Sequence, residues 1–132
     1  QRQGFELLED RRTQTVDGIK SAIIELVHYR DSLPQVNLSA YLSNKLGAEY
    51  SALSKLFSET TGLTIERYFI LQRIERVKEL IFYGEMSLSE IAAKMNYSST
   101  AYLSTQFKSV TGMTPSQFKA SQDKHLKQLD KI

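Results

Sequence analysis

Residues 53–64 read LSKLFSETTGLT and residues 103–114 read LSTQFKSVTGMT, so one pattern is written twice in this chain. Six of the twelve positions are identical at an offset of fifty residues: the Leu, the Ser, the Phe and the Thr-Gly-x-Thr that follows. Each copy comes after a short amphipathic segment and a turn of small residues, which predicts a repeated unit of helix, tight turn and helix. Two units at a fixed separation indicate the same contact made twice, and duplex DNA, whose major groove recurs every turn, is the natural partner.

Glycine and asparagine mark the turns inside these units. Gly47 follows a scaffold helix on which Leu38, Leu42 and Leu46 lie one turn apart. Glycine reaches the left-handed conformation that closes a helix at little cost. In the second unit Asn96 stands in the place of Gly47, and asparagine is the next most tolerant residue for that conformation.

Capping residues and apolar spacing place the remaining helices. Ser87 and Glu90 have the spacing of a capping box, and Pro115 predicts the start of a last helix. Apolar residues recur at helical spacing over about residues 15–30 and about residues 65–83. The second of these stretches, about 19 residues at 1.5 Å each, predicts a linker helix roughly 28 Å long.

We therefore expect an all-α chain of two helix-turn-helix subdomains joined by a long linker helix, with an additional N-terminal helix. In the N-terminal segment, Phe5 to Asp10 is either the last strand of an upstream domain or an ordered lead-in to the first helix. The tail from Ser121 is polar and expected to fray. The expected segments are residues 1–35 (lead-in and amphipathic helix, a remnant of or linker from an upstream domain), 36–63 (first unit), 64–85 (linker helix), 86–120 (second unit) and 121–132 (tail).

Composition excludes several classes of function. The 132 residues contain no cysteine, which rules out disulfides, thiolate metal sites and cysteine nucleophiles. No apolar run approaches the ~20 residues that a membrane span requires. The chain begins with Gln rather than Met, and we expect it to be a fragment of a longer protein.

Charge is unevenly distributed along the chain. Residues 1–85 carry 11 basic and 12 acidic side chains, whereas residues 86–132 carry 6 and 3. No acidic residue lies between Glu90 and Asp123, so this stretch would not repel DNA phosphates. A solvated basic face and tail is the alternative that charge alone leaves open.

These residues together resemble the DNA-binding domain of the AraC/XylS family of bacterial transcription regulators, over about residues 36–120. RIERVKEL at residues 73–80 is similar to the family's linker helix. Two departures are Asn96, where Gly is usual, and Thr105, where Arg is common. The resemblance is most specific in the second unit, with LSEIA at 88–92, NYS at 96–98, YLS at 102–104, FK at 107–108, TGMTP at 111–115 and FK at 118–119.

The resemblance implies a bacterial, cytoplasmic, nucleoid-associated regulator that binds promoter or operator DNA as a double strand. It implies RNA polymerase as a second partner, no cofactor and no membrane. Many members carry the domain beside a sensing or dimerising domain, which we would expect upstream of this chain.

Carried over by position, the resemblance implies that the second helix of each unit faces base edges. The expected base-facing residues are Tyr50, Ser51, Ser54 and Lys55 in the first unit and Thr100, Ala101, Ser104 and Thr105 in the second. Lys55 is suited to guanine O6 or N7, and Ala101 to a thymine methyl. Because the second set lacks a long bidentate donor, we expect the first unit to discriminate sequence more strongly and the second to contribute position and shape readout.

Phosphate contacts are expected from Lys108 and from the chain at Ser98 and Ser99, because helix N-termini attract anions. For the two serines, a plain N-cap is the alternative. For most of the three arginines on the linker helix, Arg67, Arg73 and Arg76, pairing with Glu75 or Glu79 is the simpler interpretation.

Two rival classes of function remain. An enzyme is disfavoured, since His28 and His125 lack metal-ligand spacing and no convincing carboxylate pair is present. DNA-repair methyltransferases that carry this binding unit need a reactive cysteine, which this chain lacks. A helical protein-interaction module would use a tyrosine surface, although most tyrosines at helical spacing belong to cores; the candidates are Tyr29, Tyr41, Tyr50, Tyr83 and Tyr102.

Overall fold

The computed structural model describes residues 2–35 and 37–130, with side chains over 9–35 and 37–127. All regular structure in this part of the chain is helical, which confirms the all-α prediction. The helices are α1 (Arg2–His28), α2 (Leu38–Leu46), α3 (Tyr50–Thr61), α4 (Ile65–Tyr83), α5 (Leu88–Lys94), α6 (Thr100–Thr111) and α7 (Pro115–Asp130).

The chain forms two compact units. The first holds the opening thirty residues together with Gln35–Gln72, and the second holds Asp31–Pro34 together with the chain from Arg73 onward. Helix α4 supplies its first eight residues to the first unit and the rest to the second.

The core of the first unit lies where α1 packs against α2 and α3. Ile19, Ile23 and Leu26 of α1 are fully buried, as are Leu42 of α2 and Phe57 of α3. Burial of each such side chain stabilises the fold by about 1.5–3 kcal/mol. This core holds α3 in place and leaves its opposite face to solvent.

In the second unit α5 packs against α6, as α2 packs against α3, and α6 packs against α7. Its fully buried side chains include Ile74 from α4, Ile91 and Met95 from the α5 segment, and Leu103 and Phe107 from α6. Leu103 and Phe107 occupy the same positions of the repeat as Leu53 and Phe57, which are buried likewise. The repeat is therefore in large part a core motif.

The two ends of the chain differ from what we expected. The strand considered for Phe5 to Asp10 is wrong, because α1 begins at Arg2 and runs through this stretch. The tail expected to fray from Ser121 is helical to Asp130 as part of α7. In the second stretch the described side chains 121–127 are exposed apart from the half-buried Gln122, so this stretch has no continuous buried stripe from which a helix would be predicted.

Candidate nucleic-acid interface

The repeated Thr-Gly-x-Thr forms the same joint at the end of α3 and at the end of α6. The Thr61 hydroxyl donates to the Phe57 carbonyl at 2.7 Å and accepts from the Leu63 N–H at 3.1 Å. The Thr111 hydroxyl makes the equivalent bonds at 2.8 and 3.1 Å. Gly62 and Gly112 are left-handed, with φ of 77° and 82°. The joint ends each helix with its last carbonyls satisfied.

The second threonine of each joint begins the next helix. The Thr64 hydroxyl accepts from the Arg67 N–H at 3.0 Å, which caps α4. The Thr114 hydroxyl accepts from the Gln117 N–H at 3.1 Å, and the Gln117 side chain accepts from the Thr114 N–H at 2.9 Å. These bonds satisfy N–H groups that have no partner within the helix.

An aromatic pair braces each joint. Phe57 meets Tyr68 edge to face with ring centroids 5.5 Å apart, and Phe107 meets Phe118 at the same distance. Both pairs connect the second helix of a unit to the helix after the joint. The two joints thus share their backbone conformation, hydrogen bonds and aromatic packing.

Helix α3 carries the candidate base contacts of the first unit. Ser51 and Lys55 are exposed one turn apart, while Ser54 and Tyr50 are half-buried. The Tyr50 hydroxyl donates to the Glu66 carboxylate of α4. Burial first, and then Glu66, raise the pKa of the Tyr50 hydroxyl, so it stays protonated as a donor. The ring of Tyr50 therefore lies at the start of α3 with its hydroxyl already engaged.

Helix α6 carries the candidate base contacts of the second unit. Ala101 and Thr105 are exposed one turn apart, and Ser104 is half-buried. The Thr100 hydroxyl oxygen lies 3.4 Å from that of Ser89 on α5. These positions have the same pattern of exposure as those on α3, but all four side chains on α6 are neutral.

Of the three candidate phosphate contacts, one is a helix N-cap and the other two are exposed side chains. The Ser99 hydroxyl accepts from the Tyr102 N–H at 3.0 Å, so Ser99 is the N-cap of α6. Ser98 and Lys108 are exposed at the start and in the last turn of the α6 segment.

Helix α5 is fixed by the capping box expected at Ser87. The Ser87 hydroxyl accepts from the Glu90 N–H at 3.2 Å, and the Glu90 carboxylate accepts from the Ser87 N–H at 2.9 Å. These hydrogen bonds to the charged form hold the pKa of Glu90 below its ordinary value.

Sequence reasoning missed the role of Arg73. Arg76 pairs with Glu79 at 3.1 Å, and Lys78, not Arg73, pairs with Glu75 at 2.9 Å. The Arg73 guanidinium donates instead to the Met95 carbonyl at 2.8 and 3.2 Å and to the Asn96 carbonyl at 2.9 Å. No sequence signal connects these positions, which are more than twenty residues apart.

Three of the tyrosines are more exposed than core residues would be, whereas Tyr97 is buried. The exposed fractions of Tyr29, Tyr83 and Tyr102 are 79%, 67% and 52%. Tyr102 lies on α6 itself, where its ring is 5.7 Å from that of Tyr97. The interpretation of most tyrosines as core residues is therefore wrong for these three.

Other kinds of site have little support in the described residues. No group of three or more His, Cys, Asp or Glu side chains there is arranged to hold a metal ion. His28 lies with its Nε2 atom 2.8 Å from the Gln72 side-chain oxygen, in a contact within the first unit. None of the described helices is long and apolar enough to cross a membrane.

Comparison with known proteins places the repeat in a family. The model of a family described as "Helix-turn-helix domain" matches residues 42–121. An uncharacterized HTH-type transcriptional regulator of Staphylococcus aureus is 30% identical over 113 residues, which cover 86% of this chain and 14% of that protein. The chain thus spans only a small part of this relative.

Solved structures share the fold. The C-terminal domain of the two-component response regulator yesN from Fusobacterium nucleatum is 30% identical, with a TM-score of 0.63 over 76% of this chain and 94% of that one. The DNA-binding domain of AdpA, a global transcriptional factor solved in complex with a target DNA, is 19% identical. Its TM-score is 0.67, over 80% of this chain and 90% of that one.

Proposed function

This chain belongs to the AraC type of the helix-turn-helix family, and on that basis we propose that it binds double-stranded DNA by placing α3 and α6 in successive major grooves. Its role is that of the DNA-binding domain of a transcription regulator. We call α3 and α6 the recognition helices. The protein-interaction module is not favoured by these similarities.

The observation that carries the proposal is the structural identity of the two joints. Thr61 and Thr111 close the recognition helices with the same bonds, and each helix then shows one buried and one solvent-facing side. Two helices exposed in the same way suit duplex DNA, whose major groove recurs every ~34 Å. The AdpA domain, which has the same fold, was solved with its target DNA.

Base reading on this proposal falls to the exposed side of each recognition helix. Lys55 donates to a guanine, while Ser51, Ala101 and Thr105 meet base edges or a thymine methyl. Since the Tyr50 hydroxyl is engaged by Glu66, its ring rather than its hydroxyl would contact DNA. Ser54, Thr100 and Ser104 complete the set from less exposed positions.

Phosphate contacts would come from the exposed Ser98 and Lys108, together with the N-terminus of α6 that Ser99 caps. We extend the proposal to the whole protein: an upstream sensing or dimerising domain, contact with RNA polymerase, and action at the nucleoid in the cytoplasm. The relatives' much greater length supports an additional domain.

The test is selection of bound sequences from a random duplex library at about 50 and 200 mM salt. We expect two short enriched elements whose centres lie about one helical turn apart, with binding that weakens at the higher salt concentration. A half-turn insertion between the elements should then abolish joint binding. Absence of binding even at low salt would refute the proposal.

Salt-sensitive binding without an enriched motif would separate the two parts of the proposal. It would support DNA binding by this chain and refute sequence reading by the recognition helices on their own. Specificity would then have to come from the upstream domain or from a dimer.

A further inference from the structure

We propose that Arg73 is a positioning residue that orients the second recognition helix, through a network running from α4 to Gln106 on α6. The inference rests on the proposed DNA binding, and it assigns a role to a side chain that does not face DNA. Five residues form this network: Arg73, Met95, Asn96, Tyr97 and Gln106.

The first link is between α4 and the turn after α5. The Arg73 guanidinium donates to the carbonyls of Met95 and Asn96, at the C-terminal end of α5. These carbonyls carry the partial negative charge of a helix end, so a cation is the suitable partner. A guanidinium reaches both carbonyls at once because its donors have a planar, fork-like geometry.

The turn that Arg73 holds is conformationally demanding. Asn96 has φ of 58°, the only non-glycine residue in the left-handed region among those described. The first unit closes the corresponding turn with Gly47, whose N–H donates to the Ser43 carbonyl at 2.8 Å. The second unit therefore replaces an unstrained glycine with an asparagine whose conformation an arginine fixes from outside the turn.

The second link runs from the turn to the recognition helix. The Arg73 guanidinium lies over the Tyr97 ring, 3.9 Å from its centroid, and Tyr97 is only 7% exposed. The Tyr97 hydroxyl donates to the Gln106 side-chain oxygen at 2.6 Å. Gln106 lies on α6 beside the exposed Thr105, so the network ends one residue from a candidate base contact.

Disruption of this network should reduce sequence discrimination at one DNA element only, the element read by α6. The network lies within the second unit, and the first unit closes its turn with Gly47, so the element read by α3 serves as an internal control. A general loss of stability would instead weaken binding at both elements equally.

The experiment uses the full chain and the two-element duplex enriched by the selection described above. Because the chain has no cysteine, Thr60→Cys in α3 and Ser109→Cys in α6 can each carry a tethered iron chelate. The positions at which each chelate cleaves the DNA then show which element lies next to which recognition helix. Discrimination is measured as the ratio of affinities for the intact duplex and for one in which a single element is scrambled.

We expect Arg73→Met to reduce discrimination at the α6 element by about tenfold or more, as loss of one good base contact would, and to leave the α3 element unchanged. Arg73→Lys should not restore it, because an ammonium lacks the fork-like geometry. Adding Asn96→Gly to Arg73→Met should recover part of the loss, since glycine needs no help in the left-handed turn.

Gln106→Met provides the second variant if Arg73→Met does not unfold cooperatively. It removes the acceptor of the Tyr97 hydroxyl but keeps the length and helix propensity of the side chain, and it should also reduce discrimination at the α6 element alone. Equal losses at both elements, or unchanged discrimination at the α6 element in a folded variant, would overturn the inference. Failure of the selection itself would count against the proposed function, whereas the outcomes above require a selected duplex and therefore count against the inference alone.

Discussion

Lys55 is the only charged side chain among the eight candidate base contacts, and it is exposed on α3 beside the buried core positions Leu53 and Phe57. A lysine that donates to guanine O6 or N7 makes one of the commonest specific contacts in a major groove. The proposed difference in base reading between the two recognition helices therefore depends strongly on this residue.

Lys55→Ala should weaken binding by roughly 1–3 kcal/mol and relax the preference at one base pair, because the lost donor reads that base. The measurement is affinity for the selected duplex and for its single-base variants. Lys45→Ala is the matched control, since Lys45 on α2 pairs with Glu25. If Thr105→Ala changes the preferred sequence more than Lys55→Ala does, the first unit is not the main reader.

Glu90 makes the stability of the second unit depend on pH. Its pKa is lowered in the folded state, chiefly by the Ser87 N–H, so its stabilising effect is present above the unfolded-state pKa. That effect is lost as pH falls through the lower folded-state pKa. Glu90→Gln keeps an acceptor but removes the charge.

We therefore expect Glu90→Gln to lower the melting temperature at pH 7 and to have a smaller effect at an acidic pH below the lowered folded-state pKa, where the wild-type carboxyl is protonated. Thermal unfolding followed by circular dichroism at both pH values measures this difference. A melting temperature lowered equally at the two pH values would show that the charge is not what matters. Glu85→Gln, in the exposed loop before the capping box of Ser87 and Glu90, is the control for general charge effects.

At the scale of the helix, the joint is the feature that recurs. Each first threonine of a joint both donates to a carbonyl of the preceding turn and accepts an N–H beyond the glycine. The hydroxyl thus replaces backbone bonds that the end of the helix cannot make.

Thr111→Val should destabilise the second unit by about 1 kcal/mol, because it removes the hydroxyl and leaves the Met113 N–H without that partner. Thr111→Ser keeps the hydroxyl and should lie close to wild type. Denaturant unfolding of both variants gives the comparison, and Thr61→Val is expected to behave in the same way in the first unit. If Thr111→Ser were destabilised as much as Thr111→Val, the hydroxyl would not be the group that stabilises the joint.

Features with local causes were predictable from the sequence, and features with distant causes were not. The left-handed Gly47 and Asn96, the Ser87 capping box and the start of α7 at Pro115 all follow from neighbouring residues. The early start of α1 could not be predicted from a continuous apolar stripe, because residues 9–14 are all polar or charged and are exposed. The Arg73 contact joins residues from different helices, so helical spacing pointed instead to its nearest acidic neighbours.

For the candidate site, the sequence predicts which residues lie on the recognition helices, and the structure shows what each side chain already contacts. Ser51 and Lys55 are exposed as a base contact requires. Tyr50 and Ser99 are both partly committed within the protein, to Glu66 and to the Tyr102 N–H. The N-cap role of Ser99 is the alternative that its residue type offered, whereas helical periodicity could not predict the contact between Tyr50 and Glu66.

At the scale of the whole molecule, the charge asymmetry separates a nearly balanced N-terminal part from a basic C-terminal part. Residues 86–132 carry 6 basic and 3 acidic side chains, and their acid-free stretch contains α6. Phosphate neutralisation should therefore depend more on the second unit than on the first.

Lys108→Ala should weaken binding to all sequences by a similar factor and reduce the slope of log affinity against log salt by about 1, as expected for one phosphate contact. Binding measured over a series of salt concentrations tests this. Lys124→Ala, on the exposed second half of α7, is the control and should leave the slope nearly unchanged. A changed base preference in Lys108→Ala would assign this lysine to base reading instead.

Since α7 follows the second joint as α4 follows the first, the two helix-turn-helix units are arranged as tandem repeats. Thr114 matches Thr64 and Phe118 matches Tyr68, so residue 119 is in register with residue 69. A chimaera of residues 1–118 followed by residues 69–120 would keep every joint intact and add a third recognition helix. On the proposed binding mode, such a third unit would lengthen the duplex footprint by about one turn, which makes the first turns of the helix after the joint a practical splice point for engineering longer DNA readers.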